Sequence, residues 1–182
     1  MPTQSALLII DVQRALCEGQ YEVFEAQRVI ERINALTATA RSANVLVVFI
    51  QHEAEDGPLQ HGSDGWRLAA GIIRDRSDVL LRKTTPDSFL RTGLERLLKA
   101  NTVNRLIICG LQTEYCVDTT TRRALALGYP VVLVSDAHST LSNEHLSAAQ
   151  IIAHHNVTLS SISSFGPRVQ LMTTSAFDLG VS

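Results

Sequence analysis

The chain has 182 residues, a length typical of one domain that buries its own core, and 45% of them are hydrophobic against 19% charged. This composition excludes a disordered chain. A net charge of −2 without any basic block leaves no electrostatic footprint for nucleic acid or an anionic membrane. We therefore expect a single domain over residues 1–182 whose partner is a small molecule.

Short apolar runs alternate along the chain with longer segments of helical period. Five runs, rich in β-branched residues or Leu, have the pattern of buried strands: residues 6–10, 45–51, 79–81, 105–109 and 131–134. Four segments place apolar residues three and four apart, as amphipathic helices do: residues 24–43, 88–100, 115–127 and 143–155. A sixth short strand is expected at residues 157–159.

This alternation favours a parallel sheet, because parallel neighbours need a crossover, and right-handed crossovers place helices on both faces. We therefore predict an α/β fold of three layers, α/β/α. Residues 52–77 interrupt the alternation with several glycines around the lone Trp66. The segment is too long for an ordinary connection, so we interpret it as a functional loop or a lid.

The cysteines and the short apolar runs predict a cytoplasmic protein. The longest purely apolar run, residues 45–50, is far below the roughly 18 residues that span a bilayer. The sequence starts Met-Pro-Thr-Gln-Ser, without the positive charge of a secretion signal. Cys17, Cys109 and Cys116 are an odd number with no metal-type pair, so we expect reduced thiols and no membrane partner.

Chemically active side chains follow the predicted strands, where open α/β sheets bind their ligands. Asp11 follows the first strand, Lys83 the third, and Cys116 a glycine that ends the fourth. A thiol in the first turn of a helix, near a lysine, is expected to have a lowered pKa. Asp11 suits the transfer of the thiol proton to a leaving amine. Each residue also suits an ordinary role, as a packing thiol, a turn acceptor or a solvated charge.

Motifs in this order resemble the isochorismatase-like cysteine hydrolase superfamily. They are Asp11-Val12-Gln13, Lys83-Thr-Thr-Pro-Asp-Ser88-Phe89, Gly110-Leu-Gln-Thr113-Glu-Tyr-Cys116-Val117-Asp-Thr-Thr120 and Ser135-Asp136-Ala137-His138-Ser139-Thr140. The resemblance implies a six-stranded, mainly parallel sheet with Rossmann-like strand order. It also implies an Asp11–Lys83–Cys116 catalytic triad and a homodimer or larger homo-oligomer.

In this superfamily the cysteine attacks a carbonyl or imidate-like carbon, an amine or ammonia leaves, and water hydrolyses the thioester. A cis peptide falls, by the resemblance, at Leu111–Gln112 and turns the amides of Gln112 and Cys116 toward one oxyanion site. Members named for isochorismate cleavage lack the cysteine. Its presence here favours hydrolysis of a C–N bond in a small amide or lactam.

The nicotinamidase branch of the superfamily holds zinc or iron with an Asp-x-His motif and a later His. Here that place is Ile50-Gln51-His52-Glu53-Ala54-Glu55, so the aspartate is missing. His52 and His61, with Asp56 or Asp64, are the remaining candidate ligands. We predict no metal and no cofactor. The stretch from Gln51 to Trp66 and the Gln-Thr-Glu-Tyr-Cys-Val motif are more similar to the nicotinamidase-related branch that includes streptothricin hydrolase.

Candidate substrate contacts lie near the three catalytic positions. They are the apolar Leu16, Trp66, Phe89 and Tyr115, with Gln13 and Gln112 as polar contacts. Each aromatic residue equally suits an ordinary core position. His138, after the fifth strand, is a candidate for orienting a loop.

Two other functions stay open. One is isochorismate-type vinyl-ether hydrolysis, in which Asp11 protonates the substrate and Cys116 is a bystander. The other is a non-catalytic binding or redox-sensing module whose Cys116 is oxidised. The ordered Asp11 and Lys83 argue against a sensor, because oxidation of a thiol does not need these partners.

Overall fold

The computed structural model describes residues 4–177, and its six strands form one parallel sheet. The strands are β1 (Ser5–Ile10), β2 (Leu46–His52), β3 (Val79–Lys83), β4 (Arg105–Leu111), β5 (Val131–Ser139) and β6 (Val169–Met172). Their order is β3-β2-β1-β4-β5-β6, so the direction of winding reverses beside β1. This confirms the predicted sheet with Rossmann-like order. One domain over all 182 residues stays a prediction.

Helices cover both faces of the sheet, as the alternation predicted. They are α1 (Arg14–Cys17), α2 (Ala26–Ser42), α3 (Leu94–Ala100), α4 (Asp118–Ala126) and α5 (Ala148–Ser161), with a π-helical turn (Thr113–Val117) before α4. Short 3-10 turns occur at Gly19–Tyr21 and Thr174–Ala176. Within residues 4–177, no helix combines the length and the apolar composition needed to cross a membrane.

Two helices begin later than predicted, and local hydrogen bonds explain both. Before α3, the Asp87 carboxylate accepts from the Phe89 amide, and Arg91 adopts a left-handed conformation with a φ of 58°. Before α5, the Asn143 side chain accepts from two following amides and so holds a turn. Helix α5 then starts at a capping box formed by Ser147 and Gln150.

The sixth strand was predicted at the wrong place. Residues 157–159 belong to α5, where Leu159 is buried and Val157 is 68% exposed. The true sixth strand lies in the tail, with Val169 paired to Val131 of β5. It is an edge strand with two exposed residues, so it lacks the continuous apolar run by which the inner strands were recognised.

The core has two parts, one on each face of the sheet, and β1 contributes to both. All six residues of β1 are buried, with Leu7 and Ile9 on one face and Leu8 and Ile10 on the other. The first face packs on α2 through Val29, Ile30, Ile33 and Leu36. The second packs on residues of α3, α4 and α5: Leu94, Leu98, Ala124, Leu125 and Leu159. The end of β1 is therefore fixed from both sides.

The close approach of β4 to β1 requires a glycine. Gly110 has a φ of 113°, and a Cβ there would lie 2.1 Å from the carbonyl oxygen of Ile10. Gly110→Ala should therefore lower the free energy of unfolding by about 3 kcal/mol or more, as measured by urea denaturation. Gly128→Ala is the matched control, since Gly128 has a φ of 92° in open space. It should cost only about 1–2 kcal/mol. Equal losses would contradict a steric role of Gly110.

Candidate active site

Three predicted residues meet at the carboxyl edge of the sheet. Asp11 directly follows β1, Lys83 is the last residue of β3, and Cys116 lies in the π-helical turn after β4. The Lys83 side chain extends past the end of β2, so that Nζ lies 2.6 Å from Asp11 Oδ2 and 3.2 Å from Cys116 Sγ. The structure thus joins the three residues through one ammonium group.

A fourth residue, His52, completes this cluster. Lys83 Nζ lies 3.2 Å from His52 Nδ1, and the two residues are register partners at the ends of β2 and β3. The sequence suggested His52 only as a metal ligand. The sequence did place His52 at the end of the strand that neighbours the strand of Lys83. This position could have predicted the contact, because side chains at the same edge of neighbouring parallel strands lie close together.

The ion pair of Lys83 and Asp11 is buried. Their side chains are 0% and 2% exposed, so little water screens the charges. Asp11 has a left-handed φ of 51°. Its second oxygen, Oδ1, is also buried and has no hydrogen-bond partner among the described residues. One carboxylate oxygen is therefore held by Lys83, and the other remains available as an acceptor.

The thiol of Cys116 does not have the lowered pKa that its position predicted. Burial and the negative charge of Asp11 raise its pKa to about 12, and the opposing effect of Lys83 is smaller. The expectation was wrong because the sequence does not show how deeply the thiol is buried or how near the carboxylate lies. One side-chain oxygen, nitrogen or sulfur atom from each of Asp11, His52 and Cys116 lies within 4.8 Å of the other two, so a carboxylate is close to the thiol. Cys116 is therefore a protonated thiol that needs a base.

The peptide bond between Leu111 and Gln112 is cis, as the resemblance implied. The Gln112 carbonyl accepts hydrogen bonds from the amides of Tyr115 and Val117 and so anchors the π-helical turn. The Gln112 N–H has no acceptor among residues 4–177.

Gln13 anchors the backbone beside the site, and its contact with substrate stays a prediction. It is fully buried, and its Nε2 donates to the carbonyl oxygens of His52 (3.0 Å) and Trp66 (2.9 Å). Its Oε1 accepts from the His52 amide, and Gln51 donates to the same Trp66 carbonyl. In the sequence, a polar residue after a strand looks the same whether it binds a ligand or hydrogen-bonds to the backbone of a buried loop.

The long loop between β2 and β3 is hydrogen-bonded to the segment after β1. Three backbone hydrogen bonds join it to the segment after β1: Arg14 N to Arg67 O, Ala15 N to Gly65 O and Ala69 N to Val12 O. The Arg14 guanidinium also pairs with Asp64 at 2.7 Å. The loop therefore forms one side of the site.

The predicted aromatic contacts have different surroundings. Phe89 is a core residue stacked near Tyr129, and its contact with substrate stays a prediction. Leu16 is half-buried and packs against the core. Tyr115 is 56% exposed beside Cys116. Trp66 is half-buried, and its ring lies edge-on to that of His61, with centroids 4.6 Å apart.

A cleft of about 590 Å³ opens beside Lys83. Its lining includes His52, Glu53, Glu55, His61, Thr84 and Arg91. Two of these residues adjoin the cluster directly, because His52 contacts Lys83 and Thr84 follows it in sequence. The cleft therefore adjoins the cluster through His52 and Thr84, while Asp11, Lys83 and Cys116 are not among its lining residues.

The residues around His52 do not fit a metal ion. Asp64 pairs with Arg14, and His61 lies against Trp66. The three groups that do converge, those of Asp11, His52 and Cys116, surround the Lys83 ammonium. A metal cation there would lie against an existing positive charge, which is unfavourable in a buried site.

His138 in β5 is hydrogen-bonded to the π-helical turn. Asn156 donates to the Ser135 carbonyl, so its Oδ1 accepts from His138 Nε2 at 3.0 Å. His138 Nδ1 then accepts from the Thr113 hydroxyl at 2.9 Å. Burial lowers the pKa of His138 to about 4. Neutral His138 thus holds the first residue of the turn that carries Cys116.

Comparisons with known proteins agree with this fold. The model of the isochorismatase domain family matches residues 5–162. A streptothricin hydrolase of Streptomyces noursei is 43% identical over 136 residues, which are 74% of this chain and 49% of that protein. The chain thus spans about half the length of this relative, and 54% of a second streptothricin hydrolase.

Two further comparisons cover more of both chains. The ureidoacrylate amidohydrolase RutB of Enterobacter sp. (strain 638) is 26% identical over 75% of each chain. A crystal structure of an isochorismatase family protein is 36% identical and superposes with a TM-score of 0.84. The alignment covers 93% of this chain and 98% of that structure.

The buried His138 predicts how stability depends on pH. Its folded pKa of about 4 lies below the ordinary value of 6.5, so the unfolded chain binds more protons between these values. The free energy of unfolding should therefore fall by about 2 kcal/mol between about pH 7 and about pH 5 on account of this residue. Urea denaturation at both pH values measures the loss. His138→Gln, which cannot titrate, should lack this part of the slope, and an unchanged slope would contradict the assignment.

Proposed function

The chain belongs to the isochorismatase family, and on that basis we propose that it is a cysteine-dependent hydrolase. It cleaves a C–N bond of a small amide or lactam and needs neither metal nor cofactor. The contact of one buried ammonium with both Asp11 and Cys116 is the observation that carries this proposal. The similarity to a ureidoacrylate amidohydrolase and to two streptothricin hydrolases supports it.

The first step transfers a proton and forms a bond. The Cys116 thiol is protonated, since its pKa is raised, and the unpartnered Oδ1 of Asp11 is suited to take the proton. Sγ attacks the carbonyl carbon while Lys83, 3.2 Å away, stabilises the developing thiolate. The carbonyl π electrons move to oxygen. The base is thus supplied by a carboxylate and not by a histidine.

The second step expels the amine. The C–N bond breaks, and its electron pair leaves with the nitrogen, which takes the proton from Asp11. A thioester on Cys116 remains. Asp11 then takes a proton from water, and the hydroxyl adds to the thioester carbon. The C–S bond breaks, its electron pair leaves with the sulfur, and Sγ takes the proton back from Asp11. The products are a carboxylic acid and the restored thiol, so one water is consumed per bond cleaved.

The amides of Gln112 and Cys116 are proposed to bind the oxyanion of both tetrahedral intermediates. The Gln112 N–H has no acceptor among the described residues, which leaves it free to donate to a substrate oxygen. Tyr115, exposed next to Cys116, Trp66, which borders the cleft through His61, and the half-buried Leu16 are proposed to form the apolar wall.

The two alternative functions fit the geometry less well. Vinyl-ether hydrolysis gives no part to Cys116, although its sulfur contacts Lys83. A redox sensor needs a reactive thiolate, whereas burial keeps Cys116 protonated. A cytoplasmic location and a homodimer or larger assembly are further proposals, which rest on the family resemblance and on the reduced cysteines.

Substitution of the three residues tests the mechanism. Cys116→Ala, Asp11→Asn and Lys83→Met should each lower the release of amine or ammonia at least about a hundredfold, because each removes a group used in bond cleavage. The assay uses a panel of small amides and lactams that includes streptothricin and ureidoacrylate. Cys17→Ala is the matched control, since this buried thiol packs in the core, and it should retain activity.

Full activity of Cys116→Ala on the amides would contradict the proposal. Isochorismate consumed equally by the wild type and by Cys116→Ala would favour vinyl-ether hydrolysis. Reversible oxidation of Cys116 without any turnover would favour the sensor.

The stability of the ion pair can be separated from its chemistry. Lys83→Met leaves the Asp11 carboxylate buried without its partner and should cost about 3–5 kcal/mol of unfolding free energy. The double variant Asp11→Asn/Lys83→Met should recover most of this loss and remain inactive. Urea denaturation gives both values. A double variant less stable than Lys83→Met would show that the unpaired Asp11 carboxylate is not the cause of the loss.

A further inference from the structure

The Lys83 ammonium has three N–H groups and three neighbours at hydrogen-bond distance. Asp11 and Cys116 account for two of them, at 2.6 and 3.2 Å, and His52 Nδ1 lies at 3.2 Å as the third. We propose that His52 is a positioning residue that accepts the third N–H and so fixes the ammonium between Asp11 and Cys116. This inference rests on the proposed function, since it assigns His52 a part in that same reaction.

Hydrogen bonds hold the backbone of His52 at both its amide and its carbonyl, and so fix the point from which the imidazole projects. Gln13 accepts from the His52 amide at 2.9 Å and donates to the His52 carbonyl at 3.0 Å. The next amide, that of Glu53, donates to the Lys83 carbonyl at 2.8 Å. The two backbones are therefore locked in register, and the two side chains meet beyond the strand ends.

The contact also defines the protonation state of His52. Lys83 offers only donors, so Nδ1 must be the acceptor, and the ring is neutral with its proton on Nε2. Burial and the positive charge of Lys83 lower the pKa of His52, which agrees with a neutral ring. The charged or titratable groups that face it are Lys83 from β3, Asp11 after β1, Cys116 from the π-helical turn and the adjacent Glu53.

Loss of the acceptor should act on the thiol through Lys83. The ammonium is wholly buried, so a third N–H without His52 has no water to bond. Nζ would shift to satisfy it, and its distance to Sγ would no longer be fixed. The Cys116 thiolate would then lose stabilisation while the charges of the site stay the same.

Two substitutions separate hydrogen bonding from simple packing. In His52→Asn, Oδ1 can take the position of Nδ1 and accept the same N–H, while His52→Leu fills similar space without an acceptor. The rate at which iodoacetamide alkylates Cys116 is followed over the alkaline pH range by mass spectrometry of the Cys116 peptide. Thermal unfolding confirms that the variants fold, and His52→Ala replaces His52→Leu if the latter does not.

We expect His52→Leu to slow the alkylation of Cys116 about tenfold at a given pH. His52→Asn should stay within about twofold of the wild type. With a turned-over amide, kcat should fall in His52→Leu with little change in KM. Wild-type reactivity of His52→Leu would overturn the inference, and so would an equal loss in both variants.

Alkylation needs no substrate, so the two proposals fail separately. A difference between His52→Leu and His52→Asn, without turnover of any amide, would support the positioning role and count against the hydrolase. Turnover of an amide with identical alkylation of the wild type and His52→Leu would support the hydrolase and remove His52 from its machinery.

Discussion

The buried ion pair between Lys83 and Asp11 is the interaction on which the site depends. An ammonium without water is stable only when its N–H groups find acceptors, and here these come from residues after β1, at the end of β2 and after β4. Their relative positions follow from the register of the sheet. The sheet also buries β1 on both faces, so the carboxylate is held where the winding direction reverses.

Neutral polar residues support this charged centre from outside. Gln13 and Gln51 satisfy the irregular backbone around Trp66, which keeps the long loop in place beside the cleft. On the other side, His138 holds Thr113 at the start of the π-helical turn. These contacts are buried and hydrogen-bonded at both ends, so they restrict the two segments that flank Lys83 without adding charge.

Local patterns predicted the inner strands and placed Asp11, Lys83 and Cys116 after strand ends, because buried parallel strands are continuous apolar runs and functional residues follow their ends. They did not predict β6, an edge strand in which two of the four residues are exposed. They gave Gln13 a substrate role, since anchoring and binding residues have the same signal after a strand. The pKa of Cys116 was expected to be low, but burial and the nearby Asp11 are tertiary effects that no local pattern contains. The contact of His52 with Lys83 depends likewise on strand register.

In the proposed reaction, Cys116 forms a thioester that Asp11 and Lys83 help to make and to break. The most direct test is acid-quenched intact-mass spectrometry of the enzyme during turnover of an amide, followed by peptide mapping. The account predicts a transient increase equal to the mass of the acyl group, located on Cys116 and absent from Cys116→Ala. Sustained turnover with no adduct at any time, at a rate equal in Cys116→Ala, would contradict it.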